Sequence, residues 1–370
     1  MESIKFPQRD STHRSDSTIT PRLLMKLTSL VRRRLPSTQL PAGRPPRLLV
    51  VQIAGIGDLV LAMPALDALR DHFPGAQIDL LTSSRADDLL AGHPSVDHIH
   101  PFDIDMFGNL TTLLSPTRSL ILIRQIRRLR DVQYDALLSL NRAFTDRGGL
   151  TLGLLLRSLG VPLWLGRNTD DRVPYFDREV SEFINDPRPE AITKLEVAAL
   201  IGAPPEPRPL SLPLGTAEKE RAAQLLAGPD RWAAIMPTAN VPVKTWPAER
   251  FVEVAKRLTD CGFRIAILAG PGDRETTQSI AQEIGERLLD LAGMLSLRET
   301  AAVLQSVEVA VTNDTGPMHI AAAVRTPLVA IFGPTSSLRY GPWCPEEERV
   351  ILHDIMPCNP CAFHQCPMDA

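Results

Sequence analysis

From Arg47 onward the chain alternates short β-rich apolar runs with helical segments, and it does so twice, which constrains its fold more than any other feature. The first series of strand candidates is Leu48–Ile53, Gln77–Thr82, Val96–His100, Ala136–Leu140 and Val161–Leu165, with helices that include Leu59–His72 and Leu120–Arg130. A helix around Ala191–Ile201 closes this series. The stretch Ala203–Leu214 follows, and its five prolines exclude helix and read as a linker. The alternation then restarts with strands Ala233–Met236, Arg264–Leu268, Glu308–Val311 and Leu328–Phe332. Such alternation belongs to parallel sheets covered by helices on both faces. The expected fold is α/β, with two Rossmann-like domains facing a central cleft. The expected divisions are a leader (1–46), a first domain (47–202), a proline-rich linker (203–230), a second domain (231–343) and a cysteine-rich tail (344–370). In such sheets ligands bind at the carboxyl ends of the strands.

Composition narrows the function classes. Forty Lys and Arg against 43 Asp and Glu give a formal charge of -3, which argues against a nucleic-acid binder. No apolar run reaches the ~18 residues of a membrane span, and no signal-peptide core opens the chain. A cytoplasmic protein is expected. The leader is polar and Ser/Thr/Arg-rich, and it is read as disordered apart from a helix over Arg22–Leu35. Leu23, Leu24, Leu27, Leu30 and Val31 would share one face of it, beside Lys26, Arg32, Arg33 and Arg34. That pattern suits peripheral contact with anionic lipid, and equally a helix packed on its own protein or an unstructured leader.

Chemistry-bearing residues gather at the strand ends. The first strand runs into Ala54-Gly-Ile-Gly-Asp-Leu-Val60, where Gly55 and Gly57 allow a tight turn and close approach of a ligand. The dinucleotide fingerprint would need Gly or Ala where Val60 stands, which disfavours an NAD-dependent oxidoreductase. Asp58 is placed either to favour the helix dipole or to accept a proton from an attacking hydroxyl. Later, Asp314-Thr-Gly-Pro-Met-His319 joins a strand to a helix: Asp314 or Thr315 can cap it, Gly316 leaves room, and Pro317 suits the first helical position. The free N–H groups of that first turn form an anion site. Lys244, just before Pro247, supplies a cation for a leaving diphosphate. Asp273 and Glu275 follow a flexible Gly-Pro-Gly turn and could meet ribose hydroxyls, although a simple helix cap is the favoured role of Asp273; Thr238 is a further donor-side candidate.

Taken in order, these residues resemble glycosyltransferase family 9, the lipopolysaccharide heptosyltransferases, over most of Arg47–Trp343. The resemblance rests on Leu49–Leu66, Lys244-Thr-Trp-Pro, Asp314–His319 and Thr326–Thr335. It implies a GT-B fold and inverting transfer from a nucleotide-activated heptose, typically ADP-heptose, to a lipid-linked or oligosaccharide acceptor, with no required metal or other cofactor. By position Asp58 is similar to the family's general base and Lys244 to its phosphate-binding lysine. Thr315, Gly316 and His319 correspond to its donor loop, with Asp314 nearby.

Acceptor contacts are expected at Asn141, Arg142 and Arg147, because phosphate or carboxylate on a lipid-linked sugar suits arginine; the arginines of Leu120–Arg130 read as a solvated basic face. Cys358, Cys361 and Cys366, with His364, have the density of a zinc site but lack a second Cys-x-x-Cys pair, so plain thiols are the other reading. The competing functions are another GT-B nucleotide-sugar enzyme, such as a hexosyltransferase or an epimerase, and a non-catalytic lipid-surface or partner-binding protein.

Overall fold

The computed structural model describes residues 39–84, 86–103, 115–356 and 358–361. The leader helix expected at Arg22–Leu35 lies outside them, as do His364 and Cys366.

Two all-parallel six-stranded sheets form, and both have the same order. The first comprises β1 (Arg47–Gln52), β2 (Gln77–Ser83), β3 (His98–Phe102), β4 (Ala136–Ser139), β5 (Leu163–Thr169) and β6 (Arg178–Glu182), arranged β3-β2-β1-β4-β5-β6. The second comprises β7 (Arg231–Met236), β8 (Phe263–Ile267), β9 (Leu288–Asp290), β10 (Val309–Asn313), β11 (Leu328–Phe332) and β12 (Arg349–His353), arranged β9-β8-β7-β10-β11-β12. This is the doubly wound Rossmann order, whose switch point lies between the first and fourth strands. Those points are β1/β4 and β7/β10.

The apolar alternation explains the layers. Leu48 and Val50 of β1 point into a core that also contains Ala234 and Met236 of β7, so the inner helical layers of both halves merge into one cluster. Leu49 and Val51 point the other way, under α3 (Pro116–Asp131) and α4 (Asp146–Ser158). The outer face of the second sheet packs separately, through Ile235, Ile265 and Ile267 against Phe251 of α7 (Ala248–Asp260).

Three departures from expectation have physical reasons. The helix expected over Leu59–His72 is two, α1 (Ile56–Val60) and α2 (Met63–His72), divided just before Pro64, which suits a helix start but not an interior. The stretch 203–230 contains α6 (Thr216–Leu225), which follows α5 (Glu190–Ala199) and packs on α9 (Leu297–Ser306). Strands β6, β9 and β12 were not expected, and β12 falls within the stretch read as a tail. They are sheet edges or nearly exposed ribbons, short and partly polar, which weakens the apolar signal of a strand.

Candidate active site

The carboxyl ends of β1 and β4 face those of β7 and β10, and the two helices that follow β1 and β10 meet. Those helices are α1 and α10 (Gly316–Ala323), α8 being Arg274–Ile284. Their approach depends on two glycines. A Cβ on Gly57 would lie 2.6 Å from Cδ2 of His319, and one on Gly316 would lie 2.8 Å from Cβ of Ile56. The space at these glycines admits the opposite domain rather than a ligand, which corrects the reason given above for Gly57 and Gly316. Gly55 caps α1 in extended backbone, and its missing Cβ would meet nothing closer than 4.0 Å.

Each switch point is stitched by a buried asparagine. Ile53 N donates to Oδ1 of Asn141 at 2.8 Å, and Asn141 Nδ2 donates to Val51 O at 3.0 Å. Trp246 N likewise donates to Oδ1 of Asn313 at 3.0 Å, and Asn313 Nδ2 donates to Pro237 O at 2.8 Å. The second stitch fixes the turn Pro242–Lys244 against β10 and so places Lys244. Its Nζ lies 2.7 Å from Oδ2 of the buried Asp314, which also accepts from Thr335 Oγ1.

Asp58 sits deep between the domains, yet 39% of its side chain is open to the cleft. Burial raises its pKa, opposed by Lys194. The fully buried Lys194 Nζ lies 3.7 Å from Asp58 Oδ1 and donates to Asp58 O and to Gln52 Oε1, both at 2.9 Å. Burial also lowers the Lys194 pKa, while Glu190 at 3.5 Å works the other way. Glu190 is itself buried, but Arg167 and Lys194 outweigh that and hold its carboxyl well below the usual range. Arg167 also pairs with Glu182 at 2.9 Å. From the second half, Arg339 of α11 (Ser337–Tyr340) reaches Glu182 at 2.7 Å and Glu190 at 2.9 Å, and donates to Asp186 O at 2.7 Å.

The start of α10 lies outside this ion network. Thr315 caps the helix without a side-chain hydrogen bond. Its Oγ1 and Nδ1 of His319 are buried without a partner. Burial pushes the His319 pKa down to about 4, so the ring is neutral at pH 7. Buried polar atoms are nearly always paired, and two orphans at the start of one helix mark a place for a polar ligand.

The remaining expected residues are dispersed. Thr238 Oγ1 donates to Oδ2 of Asp273 at 3.0 Å, and Asp273 also accepts from Gly270 N at 3.1 Å; this joins the ends of β7 and β8. Glu275 is exposed on the first turn of α8. Asn141 and Arg142, expected at the acceptor, are engaged elsewhere. The Asn141 amide serves β1, and Arg142 donates to Tyr340 OH at 2.7 Å and to Phe183 O at 3.0 Å, where it bridges the two halves. Arg147 stands exposed at the start of α4. Cys358 is exposed and Cys361 half-buried. Among the described residues no three His, Cys, Asp or Glu side chains are grouped to hold a metal ion, and no helix is long and apolar enough to cross a membrane.

Sequence reasoning missed Lys194, Glu190, Glu182, Arg167 and Arg339. A signal existed for the first two: Glu190 and Lys194 are an i, i+4 pair inside the Glu190–Ala199 helix, on its buried face.

Residues 122–370 match the family Glycosyltransferase family 9 (heptosyltransferase). The chain belongs to that family. It is accordingly a glycosyltransferase, and its two facing Rossmann-like sheets form a GT-B fold. Lipopolysaccharide heptosyltransferase 1 of Pseudomonas aeruginosa is 27% identical over 326 residues, 86% of this chain and 87% of the relative. Lipooligosaccharide heptosyltransferase 2 of Haemophilus influenzae is 35% identical over 114 residues, a match spanning 30% of this chain and 33% of that relative. The structure of the Escherichia coli ADP-heptose lps heptosyltransferase II superposes with a TM-score of 0.67 at 22% identity, covering 85% of this chain and 92% of that one.

Proposed function

We propose that this glycosyltransferase moves a heptosyl group from ADP-heptose to a lipopolysaccharide-type acceptor, with inversion at the transferred carbon. The observation that carries the reading is the pair of unpartnered buried atoms, Thr315 Oγ1 and His319 Nδ1, at the start of a helix beside Lys244 and across the cleft from Asp58. The donor diphosphate would take the N–H groups of that first turn. Neutral His319 could donate or accept there without adding charge, and Lys244 would neutralise the negative charge that builds on the diphosphate as the glycosidic bond breaks. Asp314 keeps the lysine extended toward this position. The nucleoside would lie toward Thr238, Asp273 and Glu275, at the ends of β7 and β8.

Asp58 has what a general base requires: an ionisable carboxylate open to the cleft, with a pKa raised by burial. Removing the acceptor proton as its oxygen attacks from the face opposite the diphosphate gives inversion in one displacement. The names of the P. aeruginosa and E. coli relatives support heptose, ADP and lipopolysaccharide as the substrate classes. An acceptor carried by lipid also calls for peripheral contact with a membrane. The test is transfer from ADP-heptose, against UDP- and GDP-hexoses, to lipopolysaccharide stripped of its heptose. Saturable donor binding with heptose incorporation is expected. Incorporation from a hexose donor alone would move the chain to another sugar.

A further inference from the structure

We propose that the outer face of α3, together with the loop after β4, forms a docking surface for an anionic phospholipid bilayer. The helix packs on the sheet through Leu122 and Leu129, which are buried. Leu120 on the opposite side is 45% exposed, and Ile121 and Ile123 on the two flanks are 48% and 44% exposed, three solvent-facing aliphatic side chains within four positions. The same helix carries five arginines against one aspartate. At 100° per residue, Leu120, Arg124, Arg127 and Arg128 all lie on the side away from Leu122. Among the described residues none of those three arginines forms an ion pair.

Topology places this face beside the cleft. In a parallel sheet each strand ends at the carboxyl edge and the following helix returns from it, so the first turns of α3, with Leu120, Ile121 and Ile123, lie at that edge and the later arginines behind it. The loop after β4 emerges at the same edge, and its Phe144 is 60% exposed. Aliphatic and aromatic groups at the rim with arginines behind them match a headgroup region, where apolar side chains enter the acyl boundary and guanidinium groups stay with phosphate. A protein groove would satisfy the apolar part. The excess of arginine over carboxylate selects an anionic surface. Docked this way, the open end of the cleft meets the membrane in which a lipid-linked acceptor resides.

The test uses the full chain with vesicles of phosphatidylcholine alone or mixed with phosphatidylglycerol, without donor or acceptor, so it stands or falls separately from sugar transfer. Co-sedimentation is expected with the anionic vesicles and should weaken as salt rises. Leu120→Glu/Ile121→Glu/Ile123→Glu and Arg124→Glu/Arg127→Glu/Arg128→Glu should each lower the bound fraction by roughly tenfold or more, through apolar insertion in one case and headgroup attraction in the other. All six side chains are exposed, so thermal unfolding should stay near wild type, and if one variant misfolds the other decides. Wild-type binding by a folded variant of either set would overturn the proposal, the leader then being the membrane contact. So would equal binding of the wild type to neutral and anionic vesicles.

Discussion

The two sheets share one strand order and one asparagine stitch at the switch point, yet their carboxyl edges are finished in opposite ways. At the first edge buried charge is abundant and joined in ion pairs: Asp58, Lys194, Glu190, Arg167, Glu182 and, from across the cleft, Arg339 form one connected network. At the second edge the half-buried Lys244 pairs with the buried Asp314, while Thr315 and His319 keep polar atoms without partners. A group that must gain and lose a proton profits from fixed neighbouring charges, which set its pKa. A cradle for an anion instead needs donors left unspent. The same fold thus supplies a proton-handling edge and an anion-binding edge, and their difference is a division of labour between acceptor and donor.

The largest effect should come from the proton-handling group itself. Asp58→Asn keeps the shape but removes the base, so transfer should fall by about 10²–10⁴-fold while donor affinity measured by calorimetry stays within a few-fold. In the wild type, rate should decline as pH falls through a pKa above the ordinary carboxylate range, because the base acts only when ionised and burial raises its pKa. A variant that retains turnover, or an acid limb at the ordinary carboxylate value, would remove the distinction between the edges.

Arg339→Met tests whether the first edge needs its charge from the second half. The substitution leaves Glu182 and Glu190 buried with Arg167 and Lys194 but without their partner across the cleft. Stripping one member from a buried ion cluster costs about 3–5 kcal/mol, and the remaining partners put the expected loss in unfolding free energy at the lower end. A chemical-denaturation loss much below this would mean that the network is self-sufficient within the first domain.

How much of this was legible beforehand follows from the physics of each signal. The eight interior strands announce themselves as apolar runs, whereas the edge strands β6, β9 and β12 do not. Asp58, Lys244 and Asp314–His319 could be found because strand, turn and helix start are contiguous in sequence. The ion network could not, because Glu182, Glu190 and Arg339 are brought together only by folding. Gly57 and Gly316 show a subtler limit: a glycine signals that space is needed there, but not what fills it.

On the donor side, Lys244→Ala should weaken donor binding and the chemical step together, since the charge it offsets grows as the bond breaks. Losing one such group costs about 10²–10³-fold in transfer rate where the stabilisation is fully expressed. Stability should change less than with Arg339→Met, because Asp314 keeps its bond from Thr335. Unaltered donor affinity and turnover would reduce Lys244 to a structural partner of Asp314.

The smallest expected effect tests the contact between the edges. In Gly57→Ala the new methyl would meet the His319 ring at 2.6 Å from Cδ2 and 3.2 Å from Nε2. Gly57 has no positive φ, so alanine is tolerated by the backbone and the strain is purely one of packing. The ring is buried, so α1 and α10 must separate, at a cost of about 1–3 kcal/mol. That separation moves Asp58 away from the anion cradle without touching the cradle's own N–H groups, so kcat should fall while donor Kd holds. If Gly57 served instead to admit the donor, Kd would weaken first. Gly55→Ala is the matched control: its Cβ finds nothing closer than 4.0 Å, and it should behave as wild type in both readouts.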